Sequence, residues 1–236
     1  MKNFQHLRKV LLGSAILCTL FTSCSEDELA NLKDSNAVFQ EQEGMIVVEV
    51  ETTPAEEGWT ENTATAGFTG TSYYQNSGDA QMNNPGESIL EYSVQINTPG
   101  TYRFIWHNKV NEGDNTTEAN DSWLRILGAH DFFGKKNATV KYPKGGTMVQ
   151  SDKIVNGSSK DGWMKVFCSG TLDWSWATRT SDHEGLNIYA TFNEAGTYTV
   201  QISRRSTGHA IDRFVLYNEE IVSKEEAEDL SNLESR

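Results

Sequence analysis

YSVQINTPGTYRFIW at 92–106 and IYATFNEAGTYTVQI at 188–202 carry the same frame: a strand, a four-residue turn ending in Gly, a Thr-Tyr pair and a second strand. Each reads as an antiparallel hairpin. Alternate residues of a strand point to opposite faces, so aligning the two segments puts Tyr102, Phe104 and Trp106 on the face matched by Tyr198, Val200 and Ile202. That face is apolar, and its aromatics are expected in the core.

Working outward, the same texture fills residues 44–218. Short stretches of strand chemistry alternate with Gly, Ser, Thr and Asn turns, and no long segment has helical periodicity. The expected strands are 45–51, 88–96, 101–108, 121–127, 163–168, 172–178, 186–192, 197–203 and 210–217. About nine short strands point to an all-β fold, a jelly-roll β-sandwich. After Tyr217 the tail, 219–236, is charged and lacks aromatics, so it reads as a solvated helix or a disordered end.

The first 23 residues have the order of a secretory signal peptide. Lys2, Arg8 and Lys9 precede an apolar run, LLGSAILCTLF, that gives way to Thr22, Ser23 and Cys24. The run is too short to span a bilayer, which takes about 20 apolar residues. FTSC at 21–24 resembles a lipobox, with Phe21 in place of the usual leucine, which implies lipidation of Cys24. The acidic SEDE that follows resembles the surface-export signal of lipoproteins in the Bacteroidetes group. Residues 24–43 are then a flexible tether, and the chain is expected at the cell surface as an outer membrane lipoprotein, held to the membrane by its lipid anchor.

Removing the leader takes away three cations and moves the net charge from −13 to −16. So acidic a chain does not seek phosphate backbones, which excludes nucleic acid as a partner. Cys18 leaves with the leader and Cys24 is lipidated, so Cys168 has no partner within the chain and is expected as a buried apolar residue.

VVEVE at 47–51, GFTGTSYY at 67–74, SILEYSVQINTPGTYRFIWHN at 88–108, NDSWLRI at 120–126 and GHAIDRFVLY at 208–217 together resemble, in order and spacing, the carbohydrate-binding modules of families 6 and 35. The resemblance implies a structural calcium held by Glu49, Glu51 and Asp212. Two carboxylates on one strand face repel each other without a cation, which agrees with it; the alternative is that both face solvent and Asp212 pairs with Arg213 or Arg205. It also implies sugar recognition by rings stacked on a pyranose, with Tyr73 or Tyr74 and Trp174 or Trp176 as the matching aromatics. Leu172, Trp174 and Trp176 share a strand face, which makes Trp174 the better core residue and Trp176 the better platform. Trp59 lies in a loop that buries it less easily, and Arg179 and Asp182, beside His183, could bond hydroxyls. The family's asparagine before the last strand has no counterpart: Ala210 stands there, with His209 beside it.

Polysaccharide or oligosaccharide is therefore the expected ligand, and a non-catalytic binding lipoprotein, working with outer-membrane glycan-uptake proteins, the preferred reading. A polysaccharide-degrading enzyme on a jelly roll would need two carboxylates across a cleft, and no strand supplies such a pair. A Gly-x-Ser-x-Gly elbow and an H-E-x-x-H metal site are both absent from the sequence. A structural lipoprotein of an outer-membrane complex is the third class.

Overall fold

In the computed structural model, which describes residues 33–146 and 152–236, the two repeated segments form strands but not hairpins. In chain order the strands are β1 (Val38–Gln40), β2 (Met45–Glu49), β3 (Trp59–Asn62), β4 (Tyr73–Asn76), β5 (Leu90–Ile96), β6 (Gly100–Val110) and β7 (Asp121–Leu127). After them come β8 (Asp131–Lys136), β9 (Thr139–Lys141), β10 (Met164–Phe167), β11 (Asn187–Phe192), β12 (Gly196–Ser203), β13 (His209–Tyr217) and a one-turn helix, α1 (Lys224–Ala227). They form a two-sheet sandwich: a smaller sheet ordered β1-β5-β12-β7-β10, and a larger one ordered β3-β4-β13-β6-β11-β8-β9, with β2 also paired to β13.

β5 and β6 therefore lie in different sheets, as do β11 and β12. Each repeated turn is an arch from one sheet to the other, and the arches pair strand for strand: Val94 opposite Tyr198 in the smaller sheet, Phe104 opposite Ile188 in the larger. Alternation alone cannot tell an arch from a hairpin, because both bury every second residue. The Gly-Thr-Tyr element has its own explanation. The Tyr102 hydroxyl donates to the Thr98 carbonyl at 2.8 Å and the Tyr198 hydroxyl to the Glu194 carbonyl at 2.7 Å, so each ring fastens its own arch four residues upstream.

The interior holds Tyr102, Phe104 and Trp106 as expected, with Val94, Leu124, Ile188, Val200, Ile202 and Phe214. Phe104 stacks on Phe214 with centroids 5.5 Å apart, and Trp106 meets Phe104 edge-on at 5.6 Å. Removing one such ring costs roughly 3–5 kcal/mol.

Eight of the nine expected strands are present, and five short ones, β1, β3, β4, β8 and β9, add to them. Residues 172–178 are the exception. They run without ladder pairing apart from one bridge, Asn108 to Ser175, because the Asn108 amide binds the carbonyls of Ser175 and Ala177 and holds the chain over the sheet.

Two boundaries move. The sandwich begins well before Gly44: Phe39 is buried in the core, and the Glu41 carboxylate accepts the amides of Asn97 and Thr98, capping the first arch. The described part of the expected tether is thus folded, while Cys24 and the leader lie outside the described residues. The tail is neither disordered nor solvated throughout. The Ser235 amide donates to the Val47 carbonyl and the Ser235 hydroxyl accepts from the Val47 amide, supplying a partner to the free edge of β2, and Val222 and Ala227 are buried against Val47, Ile105, Val215 and Tyr217. A Ser223–Glu226 capping box starts α1 despite its brevity.

Candidate functional site

β2 and β4 share one edge of β13 end to end: Gln75 and Tyr74 face Ala210 and Ile211, and Glu49 faces Arg213. Asp212 falls in the gap, where the register also slips against β6. The three expected metal residues do meet there. Glu49 is bonded by Arg213 and, at 2.9 Å, by the Thr69 hydroxyl, which also lies 3.1 Å from Asp212; Asp212 accepts from the Thr69 amide and meets His107 Nδ1 at 2.7 Å, and Glu51 Oε1 accepts from the Thr71 amide. The loop presses so closely that a Cβ on Gly70, itself at φ +63°, would sit 2.1 Å from Glu51 Oε1.

Five of the six carboxylate oxygens thus accept a protein donor, and Glu51 Oε2 is buried without one. Burial and the charge of Glu49 push the Glu51 carboxyl up to about 8. Two like charges and an orphaned oxygen suit a hard cation, although among the described residues no group of three or more His, Cys, Asp or Glu side chains is arranged as a ligand set.

Most expected sugar-binding residues lie elsewhere than the sequence suggested. Tyr74 is fully buried, its hydroxyl on the Thr53 carbonyl, and Tyr73 is buried against Phe68 and Trp174. Trp59 is 5% exposed, with its indole N–H on the Ser88 carbonyl, because its loop leads directly into β3. His209 is sealed inside, bonded to Ser122 and Asn108, and burial holds its imidazole down at about 4. None of these four offers a surface to a ligand. Asp182 is half-buried and paired with Lys165 at 2.8 Å. Trp174 is not a core residue: it stacks on His107 at 5.2 Å, while Trp176 lies on the same imidazole at 5.1 Å, both over the outer face of the larger sheet.

Trp176 and Arg179 do come together. They line a cleft of about 270 Å³ with Arg103, Ala177, Lys224 and Glu228. Arg103 also belongs to a row that crosses four strands of that outer face in register: Tyr217 opposite Arg103, Arg103 opposite Tyr189, and Tyr189 opposite Phe133. Phe133 and Tyr189 are half-buried and stacked, with centroids 5.6 Å apart and planes 17° from parallel, and Tyr142 extends the strip at 6.2 Å from Phe133.

Sequence reasoning missed Arg103, Phe133, Tyr142 and Tyr189. The signal was available for Tyr189 and Phe133: each is an aromatic at an outward position of a strand whose inward positions (Ile188, Ala190 and Phe192; Phe132) already fill the core.

No family model matches the chain. It is 28% identical over 140 residues to "Uncharacterized protein P23" of Formosa agariphila, covering 57% of this chain and 26% of that protein, so it spans about a quarter of its relative. Among solved structures it is similar to a Podospora anserina GH26-CBM35 β-(1,4)-mannanase, with TM-score 0.42 and 16% identity over 75% of this chain and 28% of that one. It is also similar to a Paenibacillus cycloisomaltooligosaccharide glucanotransferase (TM-score 0.41, 13% identity, 78% and 19% covered). An Arthrobacter globiformis isomalto-dextranase gives TM-score 0.41 and 14% identity, with 75% and 24% covered. Similarity this distant transfers neither ligand nor activity.

Proposed function

We propose that the chain is a non-catalytic, surface-exposed outer-membrane lipoprotein that captures polysaccharide or oligosaccharide for partner enzymes or uptake proteins. The observation that carries this reading is the stacked, partly exposed pair Phe133–Tyr189 on a rigid sheet, continued by Tyr142 on one side and by Arg103 and its cleft on the other. A strip of partly exposed aromatic rings beside guanidinium donors supplies what a pyranose requires: apolar ring surface for its C–H groups and N–H groups for its hydroxyls. The ordered sequence motifs of carbohydrate-binding modules support the same reading.

Each stacked ring contributes about 1 kcal/mol, so a single site should bind on the order of 0.1–1 mM. Affinity electrophoresis and calorimetry against a panel of polysaccharides test it. Tyr189→Ala should weaken binding about fivefold, and the double variant with Phe133→Ala should abolish retardation. Release of reducing ends by the wild-type chain would instead favour a hydrolase. Labelling with a radioactive fatty acid, lost in Cys24→Ala, tests the anchor.

Calcium at Glu49, Glu51 and Asp212 belongs to this reading, as a cation that relieves the crowded carboxylates and fastens β2 to β13. A cation bound only by the folded state raises the melting midpoint. Calcium should therefore raise it in metal-free protein and EDTA should reverse the rise. A midpoint indifferent to both removes the metal from the proposal.

A further inference from the structure

The cleft at the end of the aromatic row is unlike the rest of this acidic molecule. Among the described residues its cations are Arg103, Arg179 and Lys224, and the one acid lining it is Glu228, which is held by Lys224 at 3.0 Å. Glu219, 42% exposed, bonds Arg103 at 2.8 Å. Arg179 makes no ion pair among the described residues: its guanidinium donates to the Thr178 carbonyl and it is half-buried, and burial together with the charge of Arg103 lowers its proton affinity against a smaller opposing pull from Glu228. Arg103, 8% exposed, has a second deficit, since its Nε is buried without an acceptor. A half-buried cation without an ion-pair partner is costly, and a second guanidinium facing the same cleft raises that cost. In a chain of net charge −13 with 33 Asp and Glu, a carboxylate partner was readily available in sequence, yet among the described residues none forms an ion pair with Arg179, and the nearby Glu228 is taken by Lys224.

We propose that this cleft, formed by Arg103, Arg179, Lys224 and Trp176, binds the acidic substituent of a charged sugar, a uronate carboxylate or a sulfate ester, while the ring and its neighbours lie along Tyr189 and Phe133. The inference rests on the glycan-binding reading and narrows it to acidic polymers. Guanidinium geometry suits both oxyanions, which accept two parallel N–H bonds from one fork. The cleft is small beside a drug-sized site, so it takes one charged residue rather than a stretch of polymer. An anion in the cleft competes with the exposed Glu219 carboxylate for Arg103.

The test uses the mature chain and matched probes: polygalacturonate against its methyl ester, and dextran sulfate against dextran. At low salt the acidic member of at least one pair should bind about tenfold or more tighter, as one charge-assisted bidentate contact supplies. The advantage should shrink as salt rises, because exposed charges are screened. The pair that shows the difference identifies carboxylate or sulfate. Arg179→Gln should remove most of the preference while the Tyr189-dependent binding of the neutral member persists, and Lys224→Ala, on the exposed helix, should remove a smaller part. Equal binding of both members, with Tyr189→Ala weakening each, would leave glycan capture standing and overturn the acidic specificity. A preference that survives in a folded Arg179→Gln chain would also overturn it. Failure of every probe would overturn both readings.

Discussion

Each sheet carries a row of side chains across its outer face, and the two rows are finished differently. On the smaller sheet, Gln201 lies opposite both Glu91 and Arg125. Its amide donates to Glu91 Oε2 at 2.6 Å and accepts from Arg125 Nε and Nη2 at 2.9 and 2.7 Å. Arg125 then donates to the Asp161 carbonyl and lies 4.5 Å over the ring of Trp163, which is 2% exposed. Every member of that chain is answered. On the larger sheet the row Tyr217–Arg103–Tyr189–Phe133 leaves Arg103 Nε and the Tyr217 hydroxyl without partners among the described residues, keeps two rings partly open, and abuts an Arg179 that forms no ion pair there. A closed polar chain serves stability. An open one costs stability and is retained where something outside completes it.

The largest effect that separates the rows should come from Trp163→Ala. It strips the ring from under Arg125 and opens a cavity at a buried position, which costs roughly 3–5 kcal/mol. Denaturant unfolding should show the loss in full, while the folded fraction binds glycan as tightly as wild type. Weakened binding per folded molecule would mean that the smaller sheet's row, and not the larger sheet's, meets the ligand.

His209 extends the contrast into the interior, where it joins Ser122 of the smaller sheet to Asn108 of the larger. Complete burial disfavours its charged form, so its folded value of about 4 lies below the ordinary value of 6.5. Between those two values the unfolded chain holds the extra proton. Stability from this group is therefore complete above pH 6.5 and falls by about 3 kcal/mol as pH drops toward 4. Melting curves across that window should show the fall, and His209→Gln, which has no proton to gain, should flatten it. An unchanged slope in the variant would assign the acid sensitivity to the carboxylates.

How much of this was legible in the sequence follows from what periodicity encodes. Alternation reports which residues face inward, and it located Phe104, Trp106, Val200 and Ile202 correctly. It does not report which sheet a strand joins, so two arches read as two hairpins. The same silence hid the site. Tyr189 and Phe133 become a platform only because β11 lies between β6 and β8 in register, a pairing between residues about 55–85 positions apart. Trp59, Tyr74 and His209 were misplaced for a related reason: a loop position suggested exposure of the first and the sequence resemblance pointed to the other two, but each finds a buried hydrogen-bond partner from a distant segment. Glu49, Glu51 and Asp212 were named by the sequence resemblance and do meet, but not by strand alternation: β2 ends at Glu49 and Glu51 lies in the 3-10 turn that follows it.

The smallest expected effect gives the sharpest comparison. Tyr92 and Tyr217 are both fully buried, but the Tyr92 hydroxyl donates to the Val50 carbonyl at 2.9 Å while that of Tyr217 has no partner. Deleting a satisfied hydroxyl forfeits a hydrogen bond and strands its acceptor, so Tyr92→Phe should cost about 1 kcal/mol. Deleting an unsatisfied one removes a desolvated dipole and forfeits nothing, so Tyr217→Phe should leave stability unchanged or raise it by up to about 1 kcal/mol. Chevron or equilibrium denaturation of the two variants resolves a gap of that size. A cost in Tyr217→Phe equal to that in Tyr92→Phe would mean that the hydroxyl is answered after all, and the larger sheet's row would then be as closed as the smaller one.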